Sequence, residues 1–158
     1  MKRLIMKQGE TSIHELVTIV NQKGKDEYNL SMSSVKKTPR ITITHVSKTS
    51  EATVNEIRLE TVERFVIEVD RKVIFIIEKE KNSKDYIVKS DKMFIEGDLN
   101  KMSFDIMLGY RKVAKVRERW ISIGESYELT VFEHENEVAL VALLATLDFV
   151  KYNTNEHS

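Results

Sequence analysis

Apolar and polar residues alternate along most of the chain, in short runs that are rich in β-branched side chains. A period of two is typical of strands with one buried face, and residues 40–46 show it without interruption. Charged, Gly, Asn or Asp residues separate the runs, as they do at turns. The pattern predicts twelve strands, at residues 3–7, 15–20, 27–32, 40–46, 53–59, 63–69, 73–79, 86–90, 93–97, 102–108, 112–121 and 126–132.

The alternation is least clear at residues 11–20. Their apolar positions also fit a helical spacing, through Ile13, Leu16, Val17 and Val20. We predict a strand there and keep a helix as the alternative.

The C-terminal region breaks the alternation, because only Thr146 is polar between residues 138 and 147. Leu and Ala dominate this run, and acidic residues at 133, 135 and 137 favour a helix N-terminus, so we predict a helix at about residues 136–149. A helix that is apolar on all sides must be enclosed by protein or lipid. The run is interrupted at Asp148 and falls short of the about 20 apolar residues that span a bilayer. The sequence therefore predicts a helix buried inside the protein.

Twelve strands and one apolar helix can be combined in few ways. A barrel of eight strands is filled by its own side chains, whereas a wider barrel leaves a lumen that needs a filling. A helix of about 15 residues is roughly 22 Å long, close to the roughly 20 Å of a six-residue strand. We predict a mainly β fold, a closed barrel of roughly twelve strands that encloses the C-terminal helix. Residues 1–153 form a single domain in this prediction, and residues 154–158 a frayed tail.

Composition excludes several classes of protein. The 25 basic and 25 acidic side chains cancel, so no overall charge indicates a nucleic-acid or membrane partner. The chain has no cysteine, which excludes disulfides and Cys-ligated zinc and is consistent with a reducing compartment. The N-terminus lacks the apolar core of a secretory signal. We expect a cytoplasmic protein, with peripheral contact to a membrane and no transmembrane segment.

Several segments of the second half resemble a known family. They are YIVKSDKMFIEGD at residues 86–98, SFDI at 103–106, RKVAKVRERW at 111–120, ESYELTV at 125–131 and the apolar helix that ends at Leu147-Asp148. Over about residues 86–153 the chain resembles bacterial members of the LURP-one-related family. The resemblance implies the fold which that family shares with the tubby C-terminal domain and the phospholipid scramblases, a twelve-stranded barrel around a hydrophobic helix. Tubby-like domains bind phosphoinositide headgroups through basic side chains, and the family supplies no catalytic motif.

The strand predicted at residues 112–121 is unusually basic. Alternation places four cations on one of its faces, which we call the basic face: Arg111, Lys115, Arg117 and Arg119. Because a guanidinium group matches phosphate oxygens, this face is a candidate site for an anionic headgroup or membrane surface. The alternative is a solvated strand whose charges pair with nearby acids at positions 125, 128 or 133. No aromatic residue alternates with the cations, so we do not expect nucleic acid as the partner.

Trp120 falls on the opposite face of that strand, together with Ala114 and Val116. The shared face predicts that Trp120 packs in the core. An anchor at a membrane interface is the alternative interpretation.

The sequence shows no pattern typical of catalysis, metal binding or a nucleotide cofactor. His134 lies among acidic residues but lacks the spacing of metal ligands, and we predict a solvated loop and helix N-terminus there. We expect Asp148 to accept backbone hydrogen bonds where the helix leaves the barrel, with a buried catalytic acid as the alternative. The chain is therefore predicted to be non-enzymatic, without cofactor or metal.

These observations favour a binding protein that meets an anionic phospholipid headgroup or membrane surface through the basic face. The alternative partner is another protein. In that case the chain is a regulatory interaction module without a small ligand, which uses an exposed strand edge or loop surface.

Overall fold

The computed structural model describes residues 1–13, 16–33, 40–121 and 124–155 of the chain. Its strands are β1 (Lys2–Lys7), β2 (Leu16–Asn21), β3 (Asp26–Ser33), β4 (Arg40–His45), β5 (Glu51–Arg58), β6 (Val62–Val69), β7 (Lys72–Glu80), β8 (Tyr86–Lys89), β9 (Met93–Asp98), β10 (Ser103–Leu108), β11 (Arg111–Ile121) and β12 (Gly124–Val131). The helices are α1 (Glu10–Ile13), a 3₁₀ turn at His134–Asn136 and α2 (Glu137–Asn155). Each predicted strand overlaps an observed one.

All twelve strands belong to one antiparallel sheet. Successive strands are neighbours from β1 to β8 and from β9 to β12, and β1 joins the two halves by pairing with β12. The sheet therefore has β8 and β9 as its two edges, and it curls until these edges lie side by side.

The seam between β8 and β9 has no hydrogen-bonded strand pairing within the described residues. Side chains bridge it instead: the Tyr86 hydroxyl donates to the Leu99 carbonyl at 3.1 Å, and the Asn100 amide donates to Asp85 at 3.4 Å. The predicted barrel of about twelve strands around a C-terminal helix is confirmed, but the barrel is nearly closed rather than fully closed.

The core lies between the inner face of the sheet and α2. Inward residues such as Leu4, Ile19 and Ile67 alternate with outward ones along the strands and are fully buried. Every residue of α2 from Val138 to Asp148 is buried as well, because the barrel surrounds the helix. The polar exception Thr146 satisfies its hydroxyl by donating to the Ala142 carbonyl at 2.7 Å. The predicted buried central helix is confirmed.

Two boundaries differ from the prediction. The helix begins at Glu137 and continues to Asn155, past the predicted end at residue 149 and into the predicted tail. Residues 156–158 of that tail lie outside the described residues. In the ambiguous segment, α1 forms a short helix before β2 begins at Leu16, and residues 14–15 lie outside the described part. The extent of the domain, residues 1–153, stays a prediction.

Candidate functional site

The basic face lies on the outer surface of β11, between β10 and β12. Its inward neighbours Ala114 and Val116 are buried, which leaves Lys115 and Arg117 on the outer side. A β-bulge interrupts the alternation, because Ala114 pairs with Ile106 while Lys112 pairs with Met107. Val113 is the extra residue and turns inward, so the bulge separates Arg111 from the other three cations.

Most cations of the basic face contact carboxylates. Arg111 binds Glu133 through two hydrogen bonds of 3.0 and 3.2 Å. Arg119 forms an ion pair with Glu128 on β12. Lys115 makes no ion pair within the described part of the chain, and it lies opposite Thr130.

Arg117 is held most firmly of the four. Its guanidinium group donates to Asp105 at 2.9 Å and to the Phe104 carbonyl at 2.8 Å, both on β10. Lys112 also contacts Asp105, at 3.1 Å. Partial burial opposes ionisation of Asp105, but hydrogen bonds from Lys112 and Arg117 outweigh it and lower the pKa of this carboxyl. A ligand at the basic face must compete with these carboxylates.

Trp120 is not in the core, contrary to the prediction, because 78% of it is exposed. It pairs with Glu125 near the tip of the β11–β12 hairpin. Glu118, on the same face of the strand, is also exposed. The last residues of β11 therefore run beyond the barrel, where the inward face of a strand has no core to meet.

The end of the barrel where α2 terminates, which we call the C-terminal rim, carries further exposed apolar side chains. β1 ends at this rim, where the Gln8 amide donates to the Glu125 carbonyl at 3.0 Å. Successive strands are antiparallel, so each even-numbered strand up to β8 begins at this rim and each odd-numbered strand up to β7 ends there. β2 therefore begins and β5 ends at the C-terminal rim. Its large exposed apolar residues include Leu16 at 74%, Ile57 at 42%, Leu59 at 41% and Trp120 at 78%.

Asp148 is fully buried and joins α2 to the segment after β1. It accepts hydrogen bonds from the Gly9 amide at 2.9 Å, the Thr11 amide at 3.4 Å and the Thr11 hydroxyl at 2.5 Å. The expectation that Asp148 accepts backbone hydrogen bonds is confirmed. Burial raises the pKa of Asp148, and the bonds from Thr11 and Gly9 only partly offset that effect.

The other end of α2 is fixed by Glu137. Its carboxylate accepts hydrogen bonds from the Lys2 ammonium at 3.0 Å and the Tyr28 hydroxyl at 2.5 Å, and it contacts the His134 ring at 2.9 Å. Burial opposes ionisation, but the bonds from Tyr28, His134 and Lys2 prevail and lower the pKa of Glu137. The predicted solvated helix N-terminus is therefore wrong at Glu137, which is 8% exposed.

Clusters that could hold a metal ion, of three or more His, Cys, Asp or Glu residues, are not found among residues 1–13, 16–33, 40–121 and 124–155. Within the same ranges no helix is long and apolar enough to cross a membrane.

Comparisons with known proteins agree with this architecture. A family model described as LURP-one-related matches residues 2–148. The uncharacterized protein YxjI of Bacillus subtilis (strain 168) is 30% identical over 93 residues, which make up 59% of this chain. The match covers 54% of YxjI, so the chain spans about half the length of this curated relative. An X-ray structure of a protein from Arabidopsis thaliana superposes with a TM-score of 0.58 over 94% of this chain and 91% of that one; at 13% identity, this likeness shows the fold alone.

Proposed function

We propose a membrane-binding function for this protein, which belongs to the LURP-one-related family. In this proposal the barrel acts by binding rather than by catalysis, and its ligand is an anionic phospholipid surface. The C-terminal rim meets the membrane, Trp120 enters the headgroup region, and Arg117 and Arg119 are the cations of the basic face nearest to it.

The observation that carries the proposal is the exposure of Trp120. A tryptophan that is 78% exposed leaves a large apolar ring in water, although the core of this protein has room for aromatic residues such as Phe75 and Tyr127. Tryptophan is enriched at membrane interfaces, where its ring meets lipid and its N–H meets polar groups. Leu16, also at this rim, is 74% exposed and supports the same contact.

The basic face contributes less than its number of cations suggests. A Lys or Arg near an anionic membrane contributes about 1 kcal/mol. Arg111, Arg117 and Arg119 pair with Glu133, Asp105 and Glu128, which leaves Lys115 as the cation of this face without an ion pair in the described residues. Asp105 and Glu128 are shared with Lys112 and Arg3, so they offset only part of the positive charge here. Insertion of Trp120, at about 1.5–3 kcal/mol for burying a large apolar side chain, is at least as large as the contribution of any one cation.

Co-sedimentation with vesicles of graded anionic lipid content, at two salt concentrations, tests this proposal. We expect Trp120→Ala to weaken binding about tenfold or more. Tyr110→Ala is the matched control, because Tyr110 is a fully exposed aromatic in the turn at the opposite end of β11. Replacing the four cations of the basic face by Gln should reduce the salt dependence of binding.

Two results would contradict the proposal. One is a wild-type protein that binds no vesicle composition, and the other is equal loss of binding in the Trp120 and Tyr110 variants.

The seam supports a second candidate, a protein-interaction module. Within the described part of the chain β8 and β9 present unpaired edges, and the apolar residues Ile87 and Phe94 on these strands are 54% and 45% exposed. An exposed edge can accept an extra strand from another chain. The simplest case is edge pairing between two copies of this chain, and light scattering tests it. A protein that stays monomeric at every concentration would exclude such pairing.

A further inference from the structure

A cavity of about 410 Å³ opens beside the last turns of α2, where the seam reaches the C-terminal rim. Its volume lies in the range of small-molecule sites. The walls come from four separate parts of the chain, namely β7, β8 with the turn before it, the β9–β10 turn and α2.

One of the residues that line this cavity is a buried cation. Lys79 is 5% exposed, and its ammonium donates to the backbone carbonyl of Glu80 at 3.3 Å. It forms no ion pair within the described residues. By contrast, Lys2, which is more exposed, contacts two carboxylates, Glu137 at 3.0 Å and Glu27 at 3.3 Å.

A buried ammonium without a counter-charge is costly to a fold. Removing a charge from water carries a penalty that a carbonyl only partly offsets, and an ammonium has three hydrogens to donate. Lys79 uses one of these hydrogens on Glu80. Glu63 is the cross-strand neighbour of Lys79 on β6, but no carboxylate of the described residues forms an ion pair with this ammonium. The protein therefore retains, next to an open cavity, a buried cation without an ion pair.

The other charges around the cavity reinforce Lys79. Lys84 and Lys151 line the same cavity, and Lys151 also contacts Glu118 at 3.6 Å. Asp85 is the one carboxylate in the described lining, and it accepts a hydrogen bond from Asn100 at 3.4 Å. Among the described lining residues, three ammonium groups face one carboxylate, and Glu118 outside the lining offsets Lys151, which leaves the cavity with a positive charge.

The remaining walls are apolar or neutral. Tyr86 presents its ring, since its hydroxyl donates to the Leu99 carbonyl, and Val150 lies in the wall formed by α2. On the other side of Tyr86 is a second hollow, which Glu78 and Glu80 line. The positive charge is thus confined to the cavity that contains Lys79.

We infer that this cavity is a binding site for a phosphate monoester. The phosphate group of the ligand supplies the negative charge that pairs with Lys79. Lys84 and Lys151 complete the contacts to the dianion, and lysine is a common phosphate ligand in proteins. The carbon part of the ligand packs against Tyr86 and Val150. The ligand is either a free phosphorylated metabolite or the headgroup of a lipid, and the site does not depend on the membrane contact of Trp120.

Titration calorimetry with glycerol 3-phosphate, and flotation with vesicles that contain phosphatidate, test the two sources. We expect saturable binding by the wild type and at least tenfold weaker binding by Lys79→Met. Without ligand, the same variant should melt at a higher temperature, because an unbalanced buried charge is gone. Lys72→Met, at the exposed start of β7, should change neither quantity.

Lys84→Gln provides a second variant that cannot perturb the core, since Lys84 is exposed. Lys84→Gln should weaken binding several-fold at an unchanged melting temperature. If Lys79→Met fails to fold, the affinity of Lys84→Gln tests the inferred site instead. Trp120→Ala should leave the calorimetric affinity unchanged, which separates this site from the proposed membrane contact.

Three results would overturn the inference. They are no saturable binding of either probe by the wild type, equal affinity in the wild type and the lysine variants, and a lower melting temperature of folded Lys79→Met. The third result would identify Lys79 as a structural residue. Binding of glycerol 3-phosphate supports a metabolite, whereas binding of phosphatidate vesicles alone supports a lipid headgroup if Lys79→Met weakens it.

Discussion

Glu137 and Asp148 hold the two ends of the buried part of α2, and burial affects them differently. Both lose solvation, which disfavours the charged form of a carboxyl group. Glu137 gains an ammonium, a phenol and an imidazole as partners, and its pKa falls. Asp148 has neutral donors from Gly9 and Thr11, and its pKa rises. The difference lies in the charge of the partners, which a single sequence does not reveal because all of them except His134 are more than 100 residues away along the chain.

The lowered pKa of Glu137 predicts how stability changes with pH. Its ionised form contributes stability above the ordinary pKa of 4.5, and this contribution is lost as the pH falls through the lower pKa of the folded state. Glu137→Gln should reduce the free energy of unfolding by about 1.5–3 kcal/mol at neutral pH, typical of hydrogen bonds to a charged group. Urea denaturation of both proteins, from neutral to acid pH, should show this deficit shrinking below pH 4.5.

Glu135→Gln is the control for that experiment, because Glu135 lies in the same turn and is exposed. It should have the stability of the wild type at every pH. A deficit in Glu137→Gln that stays constant into acid would show that the carboxylate does not act through its charge.

Local pattern predicts the elements of this fold well. Strand alternation is a property of neighbouring residues, so the twelve strands could be located, and the apolar run that forms α2 could be recognised as a buried helix. The positions that were missed depend on distant parts of the chain. Trp120 continues the inward alternation of β11 but lies beyond the rim, and α2 continues past Asp148 because Gly9 and Thr11 satisfy that carboxylate. Glu128 and Glu133 are among the acid partners predicted for the basic face, whereas Asp105 depends on the register of β10, which alternation alone does not define.

At the element scale, the barrel should not tolerate a charge on α2. Leu143 is 1% exposed, so Leu143→Asp removes an apolar side chain worth about 1.5–3 kcal/mol and adds a buried ion that costs several more. Their sum approaches the whole stability of a typical domain, about 5–15 kcal/mol. We expect little soluble protein, which expression yield and circular dichroism will measure.

Leu143→Met is the matched control, since a swap of similar volume usually costs less than about 1.5 kcal/mol. A Leu143→Asp variant that is monomeric, folded and of normal melting temperature would refute the role of α2 as the filling of the barrel.

At the scale of the whole molecule, the described strands form one continuous strip with a single seam. β1 and β12 each have partners on both sides, whereas β8 and β9 each have one. The cavity that contains Lys79, the exposed edges and the end of α2 all lie along this seam or at the rim that it reaches. The inferred phosphate site and the candidate strand edges therefore lie where the sheet is least closed, whereas the basic face lies on β11, away from the seam.

Hydrogen exchange should reveal this asymmetry. Amides open locally with free energies that depend on how many strands and contacts hold them. We expect amides of β8 and β9 to exchange at least about tenfold faster than those of β1 and β12, as resolved by peptide mass spectrometry. Equal protection on the four strands would mean that the seam is as stable as the rest of the barrel.

The pairing of β1 with β12 also shapes how the protein is made in the cell. Arg3 lies opposite Thr130, so β1, the first described strand to leave the ribosome, cannot pair with β12 until β12 has been synthesised. At about 5–20 residues per second, synthesis takes roughly 6–25 s to cover that interval. During this time Leu4 and Met6, which end up fully buried, lack their neighbours Leu129 and Tyr127 on β12. The earliest described strand of the nascent chain therefore keeps apolar side chains without their final partners until the last strand has been made.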